Sequence, residues 1–133
     1  MKSNYIDTKS IIQVIGSIYQ NPELLDDEQY KFNEEDFPQE FHRTMFGAIY
    51  NLHALGAKVI TPNTIEDYLE QREKKLAIYK AYNGAEWLQK CTESTSIATF
   101  DYYFKRMKKF TLLRMYDSIG VNVSNTRWQS SLD

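Results

Sequence analysis

Apolar residues recur at helical spacing in five stretches of the chain, and alternation of the β type is weak throughout. In "IIQVIGSIYQ", Ile11, Val14, Ile15 and Ile18 form one stripe. Ser10 is placed to cap the start, and Asn21-Pro22 ends or redirects the helix. Gly16 lies inside it, where it either admits a close neighbour or is simply tolerated. "PQEFHRTMFGAIYNLHALG" carries a second stripe of Phe41, Met45, Ala48, Ile49 and Leu52, with Gly56 at the position of a C-terminal cap. "TPNTIEDYLEQREKK" opens at Pro62-Asn63 and turns Ile65 and Leu69 inward, whereas residues 72–83 are charge-rich with unclear boundaries. A short helix restarts around Trp87 and Leu88, "TESTSIAT" reads as a polar loop, and Thr99 is a candidate N-cap for the last helix. The pattern predicts an all-α chain.

The last stretch, "FDYYFKRMKKFTLLRMY", interleaves six aromatic residues with five Lys or Arg. At about 100° per residue, Phe100, Tyr103, Phe104, Met107, Thr111 and Met115 share one side. Lys105, Arg106 and Lys109 fall opposite, with Lys108 on the flank. Further on, Leu112, Leu113, Tyr116 and Ile119 continue along the side that the basic residues occupied. Such a helix meets a second neighbour late in its course. Two readings stand: a helix that leaves the head and pairs in a hairpin or dimer seam, or a central helix wrapped by its own domain. A stacking platform for nucleic acid would need exposed rings beside the basic residues, and only Tyr102 and Tyr116 lie on that side.

Length and composition fit this pattern. A chain of 133 residues is one domain by size and buries roughly 68% of its unfolded surface. Hydrophobic residues make up 42% and charged residues 26%, which argues against intrinsic disorder. No apolar run approaches the ~20 residues that span a bilayer. The single cysteine, Cys91, allows no internal disulfide, so the cytoplasm is the default compartment. The net charge of −2 does not favour a generic nucleic-acid binder. Its distribution is uneven: residues 1–40 carry nine acidic residues against three Lys, and residues 101–117 carry five basic against two Asp. Either cluster also fits an ordinary solvated face; together they describe a molecule with two differently charged surfaces.

Catalytic chemistry is not visible. The glycines at 16, 47, 56, 84 and 120 include no pair five apart, which excludes the phosphate-cradling Gly-x-x-x-x-Gly-Lys-Ser/Thr loop. His42 and His53 share a helix face but lie roughly 16 Å apart, too far to hold one ion, and read as packing or surface histidines. Cys91 reads as a buried structural thiol. "DDE" and "NEED" read as solvated loop and helix-start charges, and Asn122-Val123-Ser124 as a chance glycosylation match. No catalytic, cofactor-binding or metal-binding residue emerges.

Taken in order, "VIGSIYQNPELL", "EEDFPQEFHRTMFGAIYNLHALG", "TIEDYLEQ", "YNGAEWLQKC" and "FDYYFKRMKKFTLLRMYDSIG" resemble the N-terminal domain of DnaB-family replicative DNA helicases. The family's Leu-Gly step corresponds to Ile15-Gly16, its acidic-Phe turn to Glu35-Asp36-Phe37, and its His-Arg and Ile/Met-Phe pairs to His42-Arg43 and Met45-Phe46. The resemblance covers residues 11–120; each motif is short, and it is their order and spacing that carry it. Thr61-Pro62 stands where the family usually has an Asp, and residues 72–82 are more charged and less glycine-rich than usual, which points to a divergent, phage-type member.

The resemblance implies a helical head at residues 1–99 and the first arm of a helical hairpin with its tip at 100–133, Asn122 to Asn125 forming the tip. It implies self-association, as dimer and hexamer, through Leu112, Leu113, Tyr116 and Ile119, and docking of a primase or a helicase loader. The returning arm and the motor are expected to lie outside this sequence, so ATP, Mg and DNA contact belong to the full-length helicase. The alternative is a stand-alone adaptor binding nucleic acid through the basic helix 105–114, with Lys105, Arg106 and Lys109 as contacts.

Overall fold

The computed structural model describes residues 5–120. Six α-helices follow in order: α1 (Thr8–Gln20), α2 (Glu40–Ala54), α3 (Pro62–Leu69), α4 (Glu73–Ala81), α5 (Gly84–Ser94) and α6 (Phe100–Ser118). Short 3-10 turns at Pro22–Asp26, Glu34–Asp36 and Ile97–Thr99 punctuate them, and no strand occurs among the described residues. The all-α expectation is met.

α1 is the central element because its Ile11, Val14, Ile15 and Ile18 are all buried, and it packs against α6, α5 and α2. Its cap differs from the sequence expectation. Asp7 is the N-cap and accepts from the Ser10 backbone N–H at 3.4 Å, while the Ser10 hydroxyl donates to Asp7 at 2.8 Å. Ser10 therefore sits one turn inside, fully buried, because the carboxylate three residues earlier is the better acceptor for the free N–H groups. At the other end Asn21 closes α1, its N–H bonding the Ser17 carbonyl, and Pro22 starts the next turn. Gly16 does admit a close neighbour: a Cβ there would stand 2.6 Å from the Thr95 methyl and 3.1 Å from Cys91 Cβ.

α2 buries Phe41, Met45, Ala48 and Ile49 and leaves Leu52 half-buried. It ends as Gly56 predicts: Gly56 has φ +98°, its N–H bonds the His53 carbonyl, and the Ala57 N–H bonds that of Leu52. A reciprocal pair of hydrogen bonds between Thr61 and Thr64 starts α3, which buries Ile65 and Leu69. The charged stretch after it resolves into α4, whose Tyr79 is buried. α5 extends to Ser94, so the "TESTSIAT" loop begins later than its composition implied. The terminal carbonyl of α5 accepts from buried Gln13 of α1 at 2.8 Å, which lets the helix run on without a polar loop to satisfy it. Thr99 occupies the N-cap position of α6 but its hydroxyl donates backwards to the Ser96 carbonyl instead of capping.

Candidate interaction surfaces

α6 and its C-cap Ile119 hold every candidate site residue that the sequence assigns. Its first half belongs to the core: Phe100, Phe104 and Met107 are buried with α1, and Tyr30 meets Phe100 and Phe104 edge-on at 4.8 Å. Met115, placed on the same stripe by sequence, is instead 52% exposed, and Thr111 is the last buried residue on that side. The stripe ends where the surrounding elements end.

The basic residues of α6 are largely spent on the head. Lys108 Nζ donates to Asp36 at 2.7 Å, and the Thr111 hydroxyl donates to the same carboxylate at 2.8 Å. A third donor, the Asn33 N–H, reaches Asp36 at 2.8 Å. Asp36 is 0% exposed, so within "NEED" the solvated reading holds for Glu34 and Glu35 and fails for Asp36. Its carboxylate is buried because three donors, one of them cationic, replace water around it. Arg106 Nε donates to Asp7 at 2.6 Å. Burial works to raise the Asp7 carboxyl, but hydrogen bonds from Ser10 and Arg106 hold it below the usual carboxylate range. Arg114 donates to the carbonyl oxygens of Tyr5 at 2.6 Å and Glu35 at 2.7 Å. Desolvation pulls that guanidinium below its ordinary value, with nearby Asp36 opposing the shift. Lys105 pairs with Asp101 one turn earlier at 2.9 Å, and Lys109 lies 5.2 Å from the centre of the Phe110 ring. The acidic first third and the basic helix thus meet in part, instead of forming two separate charged surfaces.

The apolar residues expected at a pairing seam are placed unequally. Leu113 is 3% exposed in the single chain although it lies about 200° around α6 from Thr111. Leu112 and Tyr116 are half-buried, and Ile119, at the helix end, is 73% exposed. The hairpin tip at residues 122–125 lies outside the described residues.

The motif residues of the 35–46 stretch also converge. Phe37 and Phe46 stack with centroids 4.6 Å apart, and Arg43 donates to the carbonyl oxygens of Phe37 and Pro38 at 2.9 and 3.0 Å. These contacts fix the turn that delivers Asp36 to α6. His42 is buried against Phe41 and Trp87 with its Nδ1 unpartnered among the described residues, and desolvation lowers its pKa to about 4. Its role is packing. His53 meets Asp26 at 3.0 Å. Cys91 is buried, with its thiol pushed up to about 12. Among the described residues no group of three metal-ligating side chains comes together, and no helix is long and apolar enough to cross a membrane.

No solved structure matches the chain. It is 36% identical over 128 residues to the SPbeta prophage-derived uncharacterized protein YorI of Bacillus subtilis (strain 168), an alignment covering 96% of this chain and 25% of the relative. The chain thus spans about a quarter of that protein's length. The DnaB-like helicase N-terminal domain matches residues 12–109, from the second turn of α1 to the middle of α6, and takes in Asp36, Arg43, Phe46 and Lys108. By this match over most of its length, the chain belongs to the DnaB-like helicase N-terminal domain family.

Proposed function

We propose that this domain is a non-catalytic collar element of a replicative DNA helicase, serving dimer and hexamer assembly and the docking of a primase or helicase loader. The observation that supports it most is the division of α6. Up to Thr111 the helix is locked to the head by the Asp36 cluster and the aromatic core. Beyond it Leu113 is still buried and Arg114 still bonds the Tyr5 and Glu35 carbonyls, but Met115 and Ile119 are exposed, and Leu112 and Tyr116 keep part of their surface in water. A rigidly mounted helix end with apolar side chains is suited to pair with a second copy. ATP and Mg belong to a motor domain elsewhere in the full-length protein.

The nucleic-acid adaptor reading loses support from the same contacts. Arg106, Lys108 and Arg114 hold the head together, so they are poorly placed to track phosphates. The test is sedimentation velocity of the chain against its Ile119→Asp variant. Self-association that the variant loses, with an unchanged thermal midpoint, supports assembly through the end of α6. Equal association in both removes that surface from the account.

A further inference from the structure

A groove of about 850 Å³ lies between the segment around residues 25–37 and α2, on α2's aromatic edge. Its floor is built from Phe32, Phe46 and Tyr50, backed by buried Phe37. The rings form a continuous set: Phe37 stacks on Phe46, Phe32 sits 5.0 Å from Phe46, and Tyr50 is 5.9 Å further along. Tyr50 is 49% exposed. Five carboxylates line the same groove: Asp26, Asp27, Glu28, Glu34 and Glu40. Asp26 is taken by His53; the other four, all exposed, make no ion pair with a described residue. Of the cations lining it, Arg43 is committed to two backbone carbonyls, leaving the exposed Lys31 and Lys75.

Asp27 accepts from the Gln29 N–H and side-chain amide at 3.1 Å each, which leaves its charge uncompensated. Aromatic faces rimmed by carboxylates that lack a cationic partner favour a cation that also carries apolar surface, and a guanidinium meets both needs. The carboxylates repel nucleic acid, and no three of them converge to hold a metal ion. Nor can the four arginines of residues 5–120 readily supply the guanidinium from a second copy. Arg43 holds the 37–38 carbonyls, Arg72 lies over Tyr68, Arg106 pairs with Asp7, and Arg114 bonds Tyr5 and Glu35. We infer that this groove docks an arginine-bearing, otherwise apolar segment of a different protein. The inference rests on the docking half of the proposed function and names the chemistry of the partner; it does not depend on self-association.

The test is an NMR titration of the whole chain with a short synthetic peptide alternating leucine and arginine, beside a twin with citrulline in place of each arginine. The inference predicts amide shifts confined to residues 26–34 and 43–51 with the arginine peptide, and at least tenfold weaker binding of the twin. Affinity should fall tenfold or more in Tyr50→Ala and in the Glu34→Gln/Glu40→Gln pair, and stay unchanged in Glu86→Gln on α5. Shifts spread over other surfaces, equal binding of the twin, or indifference to the groove variants would overturn it. Concentration-dependent shifts in the groove without peptide would overturn it too, in favour of a second copy. A chain that self-associates yet ignores the peptide loses this inference alone. A monomer that binds the peptide in the groove loses only the assembly reading.

Discussion

Asp36 and Thr111, 75 positions apart, are joined by a 2.8 Å hydrogen bond in the buried interior, where the turn before α2 meets the middle of α6. Lys108 closes the cluster from the edge of solvent, its side chain 28% exposed. Breaking a buried charged cluster by removing one member leaves the others desolvated and unpaired. Asp36→Ala should therefore cost about 3 kcal/mol of stability, read from urea unfolding. Lys105→Ala, which removes only an exposed pair within α6, should leave the unfolding midpoint unchanged. Equal effects of the two would show that the cluster does not anchor the helix.

His42 makes stability depend on pH. Its pKa falls from the ordinary 6.5 to about 4 on folding, because burial disfavours the charged ring. Its contribution is present above 6.5 and is lost as pH falls from there toward 4, since the unfolded chain takes up the proton first. Between pH 7 and 5 the chain should lose about 2 kcal/mol, and His42→Phe should flatten that slope. An unchanged slope in the variant would place the dependence elsewhere.

Two glycines inside helices should respond in opposite directions to alanine. At Gly16 the added methyl meets Thr95 and Cys91, so the variant should destabilise by about 1–3 kcal/mol as α1 and α5 are pushed apart. At Gly47 nothing lies within 4 Å of an added Cβ, so alanine should stabilise α2 by about 0.5–1 kcal/mol. Thermal midpoints of the two variants check both signs.

If the basic residues of α6 serve the head, single-stranded DNA should not bind saturably to this chain even at low salt, where phosphate contacts are strongest. Fluorescence anisotropy with a labelled oligonucleotide decides the matter. Saturable binding weakened by Lys105→Ala and Lys109→Ala would restore the adaptor reading.

The helices were legible in the sequence because stripes such as Ile11-Val14-Ile15-Ile18 and Ile65-Leu69 carry their period in a short window. Gly56, whose positive φ is a local requirement, was legible for the same reason. Long-range polar pairing was not. Asp36 is one of three consecutive acidic residues, and its neighbours Glu34 and Glu35 are exposed. Lys108 and Thr111, brought in by the fold, join the local Asn33 N–H in singling it out for burial. The cap of α1 was missed because Asp7 precedes the apolar stripe by a full turn, while Ser10 adjoins it. Met115 is exposed and Leu113 buried within the single chain because helical period gives a face but not where the neighbouring elements stop. The aromatic groove left one trace, Phe46 and Tyr50 four apart on α2.

The most direct test of assembly through the end of α6 is a disulfide cross-link at position 119. Cys91 is buried with its thiol pushed up to about 12, so it should stay unreactive and leave the introduced thiol to report alone. Under mild oxidation Ile119→Cys should convert rapidly to a covalent dimer, while Glu86→Cys, on the exposed side of α5, should remain monomeric at the same concentration. A dimer at both positions, or at neither, would contradict pairing through the end of α6.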